Sequence, residues 1–172
     1  MTVLPVALKL PRAYLIGIGR VTTTWALVEH EVRRAVFAAL GVGPKHGRVA
    51  VRDPRADESI ILITDLLRID GIDFNAQATK QLASLLKNLK ESRDVVCHSL
   101  WLNGPKRSIC IQDLSGTWNP DPKKPAVKRK VHPQALPVKS EALERLAGLN
   151  LEAARRVRTL HDQIVQARQA SP

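Results

Sequence analysis

The segment Glu91-Ser-Arg-Asp-Val-Val-Cys-His-Ser-Leu-Trp101 places an arginine and a histidine five positions apart. An imidazole, with an ordinary pKa near ~6.5, takes up or delivers a proton near neutral pH. A guanidinium stays charged and holds a phosphate through two parallel hydrogen bonds while negative charge builds. The two groups suit cleavage of a phosphodiester by a neighbouring ribose 2′-hydroxyl, which needs no metal. On an ideal helix, Arg93 and His98 stand about 140° apart and about 7.5 Å along the axis. They do not share one face. A single site therefore needs the helix to end between them, or a second protomer to supply one of the pair.

Spacing alone does not select these two residues. With 16 Arg and 5 His in 172 positions, about 1.4 pairs four to six residues apart arise by chance. Arg155 and Arg156 both match with His161. Context singles out Arg93, which falls on the apolar stripe of a leucine-rich segment: Ala78, Leu82, Leu85, Leu86, Leu89, Arg93, Val96, Leu100. An arginine at an expected core position calls for a function or a partner.

Other constellations are weaker. Cys97-His98, Cys110 and His132 lack structural zinc spacing, and His30-Glu31-Val-Arg-Arg lacks the second histidine of a metalloprotease helix. Gly41-Val-Gly-Pro44 lacks the Lys-Ser/Thr of a phosphate loop, and no nucleophile elbow marks a serine triad. No metal or cofactor is expected. Cys97, beside His98, reads as a packing residue because adjacent helix positions point apart. The spacing gives no reason to pair Cys97 with Cys110.

The elements that must carry the pair follow from periodicity. Tyr14, Ile18, Val21, Trp25, Val28, Val32, Val36 and Ala39 recur at threes and fours, predicting a long amphipathic helix over 14–40. Gly17 and Gly19 weaken its first turns and Gly41 ends it. A loop is expected over 45–57. A shorter helix then opens at Asp57 or Ser59, runs to Ile69 and stops at Asp70-Gly71. Asn75 is the expected N-cap of the third helix. Beyond it, Trp101-Leu-Asn-Gly-Pro105 reads as a turn, 108–114 as a strand, and 127–138 as room for a second. Ser140 caps a last long helix to about Gln169, with Leu143, Leu146, Leu149, Leu151, Ala154, Val157, Leu160, Ile164 and Val165 as its apolar residues. The expectation is a mainly α, four-to-five-helix up-and-down bundle with a short β-hairpin excursion between the third and last long helices. It forms one domain, 1–172, with a basic insertion at about 101–139.

Composition sets outer limits. With 44 % hydrophobic and 25 % charged residues, the chain matches a globular domain and excludes disorder, collagen repeats and disulfide scaffolds. The net charge is +11, which favours a polyanionic partner. Residues 120–172 hold eleven Lys and Arg against five Asp and Glu. There Lys123, Lys124, Lys128, Arg129 and Lys130 are the candidate nucleic-acid contacts, acting through phosphates. The plainer reading is a solvated, solubilising surface. At 3 % aromatic residues, a base-stacking platform is excluded. Two cysteines, no leader-like start at 1–10 and no long apolar run predict a cytoplasmic protein off the membrane.

The Arg93/His98 segment resembles the Arg-x(4–6)-His motif of the HEPN superfamily of helical-bundle proteins. The layout is similar too: a long first helix with Trp25 and Glu29, the motif ending a later helix, Trp101 shortly after, a β excursion and a final helix. Active members of that family form a composite, metal-independent ribonuclease site from two protomers. The resemblance implies a homodimer acting on RNA, with Arg93 on phosphate, His98 as acid or base, and Asp94 tuning or orienting them. Asp94 replaces the family's usual Asn, and Ser99 stands where many members have Gly; both departures bear on catalysis more than on fold. The alternatives are a non-catalytic interaction or scaffold protein, including the partner of a larger bacterial system, or a basic nucleic-acid-binding module without chemistry. In the structural alternative Arg93 pairs with an acid across the bundle. Glu29 and Glu31 cannot both face inward, and Glu29, next to stripe position Val28, is the expected partner.

Overall fold

The computed structural model describes residues 9–51, 55–112 and 135–170. Its elements are α1 (Arg12–Leu40), α2 (Pro44–Ala50), α3 (Ala56–Ile69), α4 (Ala76–His98), β1 (Leu100–Asn103), β2 (Ile109–Gln112), β3 (Leu136–Val138) and α5 (Ser140–Ala170). The protein is mainly helical, with a small antiparallel sheet between α4 and the last helix, as the periodicity implies. None of the described helices is long and apolar enough to cross a membrane. Two compact units divide the chain, one of residues 1–22 and 91–147, the other of 23–90 and 148–172.

In the second unit, Trp25, Val28, Val32, Val36 and Ala39 of α1 are all buried, which matches the threes-and-fours stripe. Ile60, Ile63 and Leu67 of α3 and Leu86 of α4 are at most 1 % exposed. Removing such a side chain from water contributes about 1.5–3 kcal/mol. Helices α1 and α3 stop in the same way. Gly41 and Gly71 both adopt φ +66°, and the following amides, of Val42 and Ile72, reach back to the carbonyls of Phe37 and Leu67. That double turn needs a left-handed residue, which glycine supplies without strain. At the other end of α4, Asn75 Oδ1 accepts the Ala78 amide at 2.9 Å, so the expected cap is present.

Three local expectations are corrected. Residues 45–50, part of the loop expected over 45–57, belong to α2: Pro44 occupies a first-turn position where no amide proton is needed. Gly47 admits the Phe37 ring, which a Cβ there would meet at 2.4 Å. On α5, Leu149 and Leu151 face solvent, and Asn150 between them is fully buried, its Nδ2 donating to Thr24 Oγ1 at 3.2 Å. The buried line is Leu143, Ala147, Asn150, Ala154, Val157, Leu160 and Ile164, an unbroken run of threes and fours with one polar member.

The third correction lies in the first unit. Residues 101–103, expected in a turn, belong to β1, where Leu102 is buried opposite Cys110. The turn starts later, at Gly104, whose amide donates to Ser108 O at 2.8 Å. Lys106 and Arg107 take positive φ there, 52° and 61°. The sheet has order β1-β2-β3: β2 and β3 fall within the two expected strands, and β1 turns the expected hairpin into three strands.

Candidate active site

The C-terminal end of α4 sits on a small apolar cluster of the first unit. Val21, Val96, Leu143 and Ala147 are buried there, with Tyr14, Ile18, Trp101 and Val138 packed around them. Gly17 makes the approach of α5 possible, since a Cβ at that position would lie 2.8 Å from Leu143 Cβ. Trp101 fixes where α4 ends. Its indole Nε1 donates to Val96 O at 3.2 Å, and its ring meets Tyr14 edge-on at 6.1 Å. The Tyr14 hydroxyl in turn donates to Val138 O at 2.8 Å, tying β3 to α1. Both aromatic residues thus present an apolar body to the cluster and a polar tip to a carbonyl.

On this frame Arg93 falls in line with Leu89 and Val96, as the stripe predicts. Its side chain keeps 25 % of its surface exposed, and Nη1 donates to Asp94 Oδ1 at 2.8 Å. Asp94 is similarly half-buried. His98 is the last residue of α4 and is exposed. Beyond it, the Ser99 amide still donates to Val95 O at 3.2 Å, while the Ser99 hydroxyl is buried with no hydrogen-bond partner. Arg93 and Asp94 are therefore brought together by direct contact, and His98 is offered to solvent at the helix end. Cys97 is an exposed free thiol 3.7 Å from Thr22 Oγ1, and Cys110 is buried and also free. No cluster of three or more His, Cys, Asp or Glu able to hold a metal occurs among the described residues.

Lys123, Lys124, Lys128, Arg129 and Lys130 lie outside the described residues. Glu29, the expected acid across the bundle, is half-buried and accepts the Trp25 indole Nε1 at 2.6 Å.

The fully enclosed acid of the second unit is Glu31, only 1 % exposed. Arg158 donates to Glu31 Oε1 through Nη2 at 2.5 Å and Nε at 3.2 Å, and Arg34 donates to Oε2 at 3.0 Å. Burial pushes the Glu31 pKa up, but the hydrogen bond and charge of Arg158, then Arg34 and His30, outweigh it and hold the carboxyl below its ordinary range. Arg158 is held above its ordinary value, first by that hydrogen bond. Sequence reasoning missed this trio. The available signal was Glu31 one position before stripe residue Val32, with Arg34 three residues on.

No protein-family model matches the chain, and no characterised protein or solved structure is detectably similar to it.

Proposed function

We propose that this protein is a HEPN-like, metal-independent RNA endonuclease with its reacting groups at the end of α4. The observation that carries the reading is the state of Arg93. It occupies a core-stripe position, yet a quarter of its side chain stays exposed, with Nη1 on a carboxylate exposed to a similar degree and Nε buried without a hydrogen-bond partner. Ion pairs open to solvent are worth roughly 0–1 kcal/mol, so the part of the guanidinium that solvent reaches can be taken from Asp94 by a phosphate diester at modest cost. Once held, the phosphate is attacked by the adjacent 2′-hydroxyl. The 2′-O–P bond forms, the P–O5′ bond breaks, and the products carry a 2′,3′-cyclic phosphate and a 5′-hydroxyl. His98 accepts the 2′-hydroxyl proton or donates one to the leaving oxygen, with a second protomer supplying the complementary role. The basic segment 123–130 adds sequence-independent phosphate contacts.

The direct test is cleavage of a mixed structured and single-stranded RNA pool in EDTA, wild type beside His98→Ala. Cutting by the wild type that leaves cyclic phosphate ends and is lost in the variant supports the reading. Equal cutting by both discards the assignment.

A second reading is favoured by the same contact seen differently. Asp94 already holds Arg93 through Nη1, as in an interaction protein that uses the pair to hold the end of α4. That reading predicts no turnover and a lowered melting temperature for Arg93→Ala. RNA binding without cutting, weakening steeply with salt, would instead identify a nucleic-acid-binding module.

A further inference from the structure

The connection between α3 and α4 carries Phe74, whose ring centre lies 5.8 Å from the Arg68 guanidinium. That contact holds the ring as one wall of a cavity of about 280 Å³, between the first turns of α4 and the middle of α5. The floor is apolar: the half-buried Phe74 with the buried Leu82 and Leu160. The rim is polar and exposed: Gln81 of α4, with Arg156 and Gln163 of α5. All six residues belong to the second unit.

The charge of this lining is one-sided. None of the described residues that line the cavity is acidic, whereas two neighbouring hollows carry Asp65 and Asp73. Arg156 is the cation of the rim. Its Nε donates to Glu152 Oε1 at 3.0 Å across a pair that is 58 % and 46 % exposed, and such a pair is worth little. The fork of Nη1 and Nη2 can give a carboxylate two parallel hydrogen bonds. The first turn of α4, capped by Asn75, adds the positive end of a helix dipole. Gln81 and Gln163 supply amides that both donate and accept.

These groups favour an anion, and the floor excludes a bare one. Phosphate or acetate would leave Phe74, Leu82 and Leu160 in contact with water. Size narrows the class further. An apolar cavity of about 150 Å³ takes up benzene, so roughly twice that volume takes two fused rings. We propose that this cavity binds a small aromatic carboxylate, its one or two rings on Phe74, Leu82 and Leu160 and its carboxylate on the Arg156 fork. The site is separate from Arg93 and His98 and does not rest on their role.

Titration of the full chain with 2-naphthoate, followed by backbone NMR shifts and by melting temperature, tests the assignment. The expected result is saturable binding at millimolar concentration or below, with shifts at Phe74, Ala78 and Leu160 and a raised melting temperature. The neutral 2-naphthamide keeps the rings and binds at least about tenfold more weakly, as does 2-naphthoate to Arg156→Gln. Ala78→Trp, at an exposed position on the cavity wall, blocks binding by filling the space. Both variants melt like the wild type, because both side chains lie at the surface. No saturable binding of 2-naphthoate, equal affinity for the amide, or affinity unchanged in either variant would overturn the proposal. So would shifts confined to the end of α4, which would put the anion on Arg93 instead. Both variants keep Arg93 and His98, so their RNA cleavage in EDTA is expected to equal that of the wild type, and the two readings fail separately.

Discussion

Two arginine–carboxylate sites in this molecule are built from the same groups and behave differently. In the second unit, Glu31 is 1 % exposed and both its oxygens are occupied by guanidinium groups from Arg158 and Arg34. In the first unit, Arg93 and Asp94 are sequence neighbours, each about a quarter exposed, with Arg93 Nη1 on Asp94 Oδ1. The first arrangement is structural: desolvation makes the carboxylate dependent on its partners. The second is partly open to solvent, so its two groups depend less on each other. Burial, rather than residue type, sets how far each carboxylate depends on its arginine.

The strongest way to break this comparison is at Arg158. Arg158→Met leaves a buried carboxylate with only Arg34, and is expected to give the largest fall in melting temperature of any variant discussed. Gly17→Ala comes next. Its Cβ would press on Leu143, and overpacking of this kind costs about 1–3 kcal/mol, measured by urea unfolding. That substitution separates damage to the cluster under α4 from damage to the charges above it. Glu31→Gln removes the charge but keeps the shape. The arginines can then turn to water, so the expected cost is smaller, about 1–2 kcal/mol, and below that of Arg158→Met. If Glu31→Gln proves the more damaging of the two, the dependence of the buried acid on Arg158 is wrong.

Acid titration sharpens the same contrast. The folded-state pKa of Glu31 lies below its ordinary value of 4.5. Its contribution to stability is therefore complete above the unfolded-state value and is lost as pH falls through the lower folded value. Chemical denaturation between neutrality and pH 3 should show a decline below about pH 4.5 that Glu31→Gln flattens. An unaltered decline in Glu31→Gln would assign it to other carboxylates. The smallest stability change expected is that of Arg93→Ala, within about 1 kcal/mol of the wild type.

Much of the fold was legible because its helices are strongly periodic. The α1 stripe, the Asn75 cap and the glycine-terminated ends of α1 and α3 all follow from local residue chemistry. What was not legible depends on partners remote in sequence. Whether 44–50 coils or turns into a helix is decided by Gly47 meeting Phe37. Whether the last helix buries leucine or asparagine at 149–151 is decided by Thr24, 126 positions away. The end of α4 was identifiable because an arginine interrupted a run of leucines. Its contact with Asp94 was not, since neighbouring helix residues ordinarily diverge. The enclosure of Glu31 is not legible because a stripe drawn through single residues underestimates the width of a buried face; Glu31 and Val32 are both enclosed.

The central claim is that Arg93 serves a ligand rather than the fold. The most direct test is Arg93→Ala, melted and assayed for RNA cleavage in EDTA from one preparation. The account predicts a melting temperature close to that of the wild type together with lost cleavage. A large fall in melting temperature, or cleavage that survives the substitution, would contradict it.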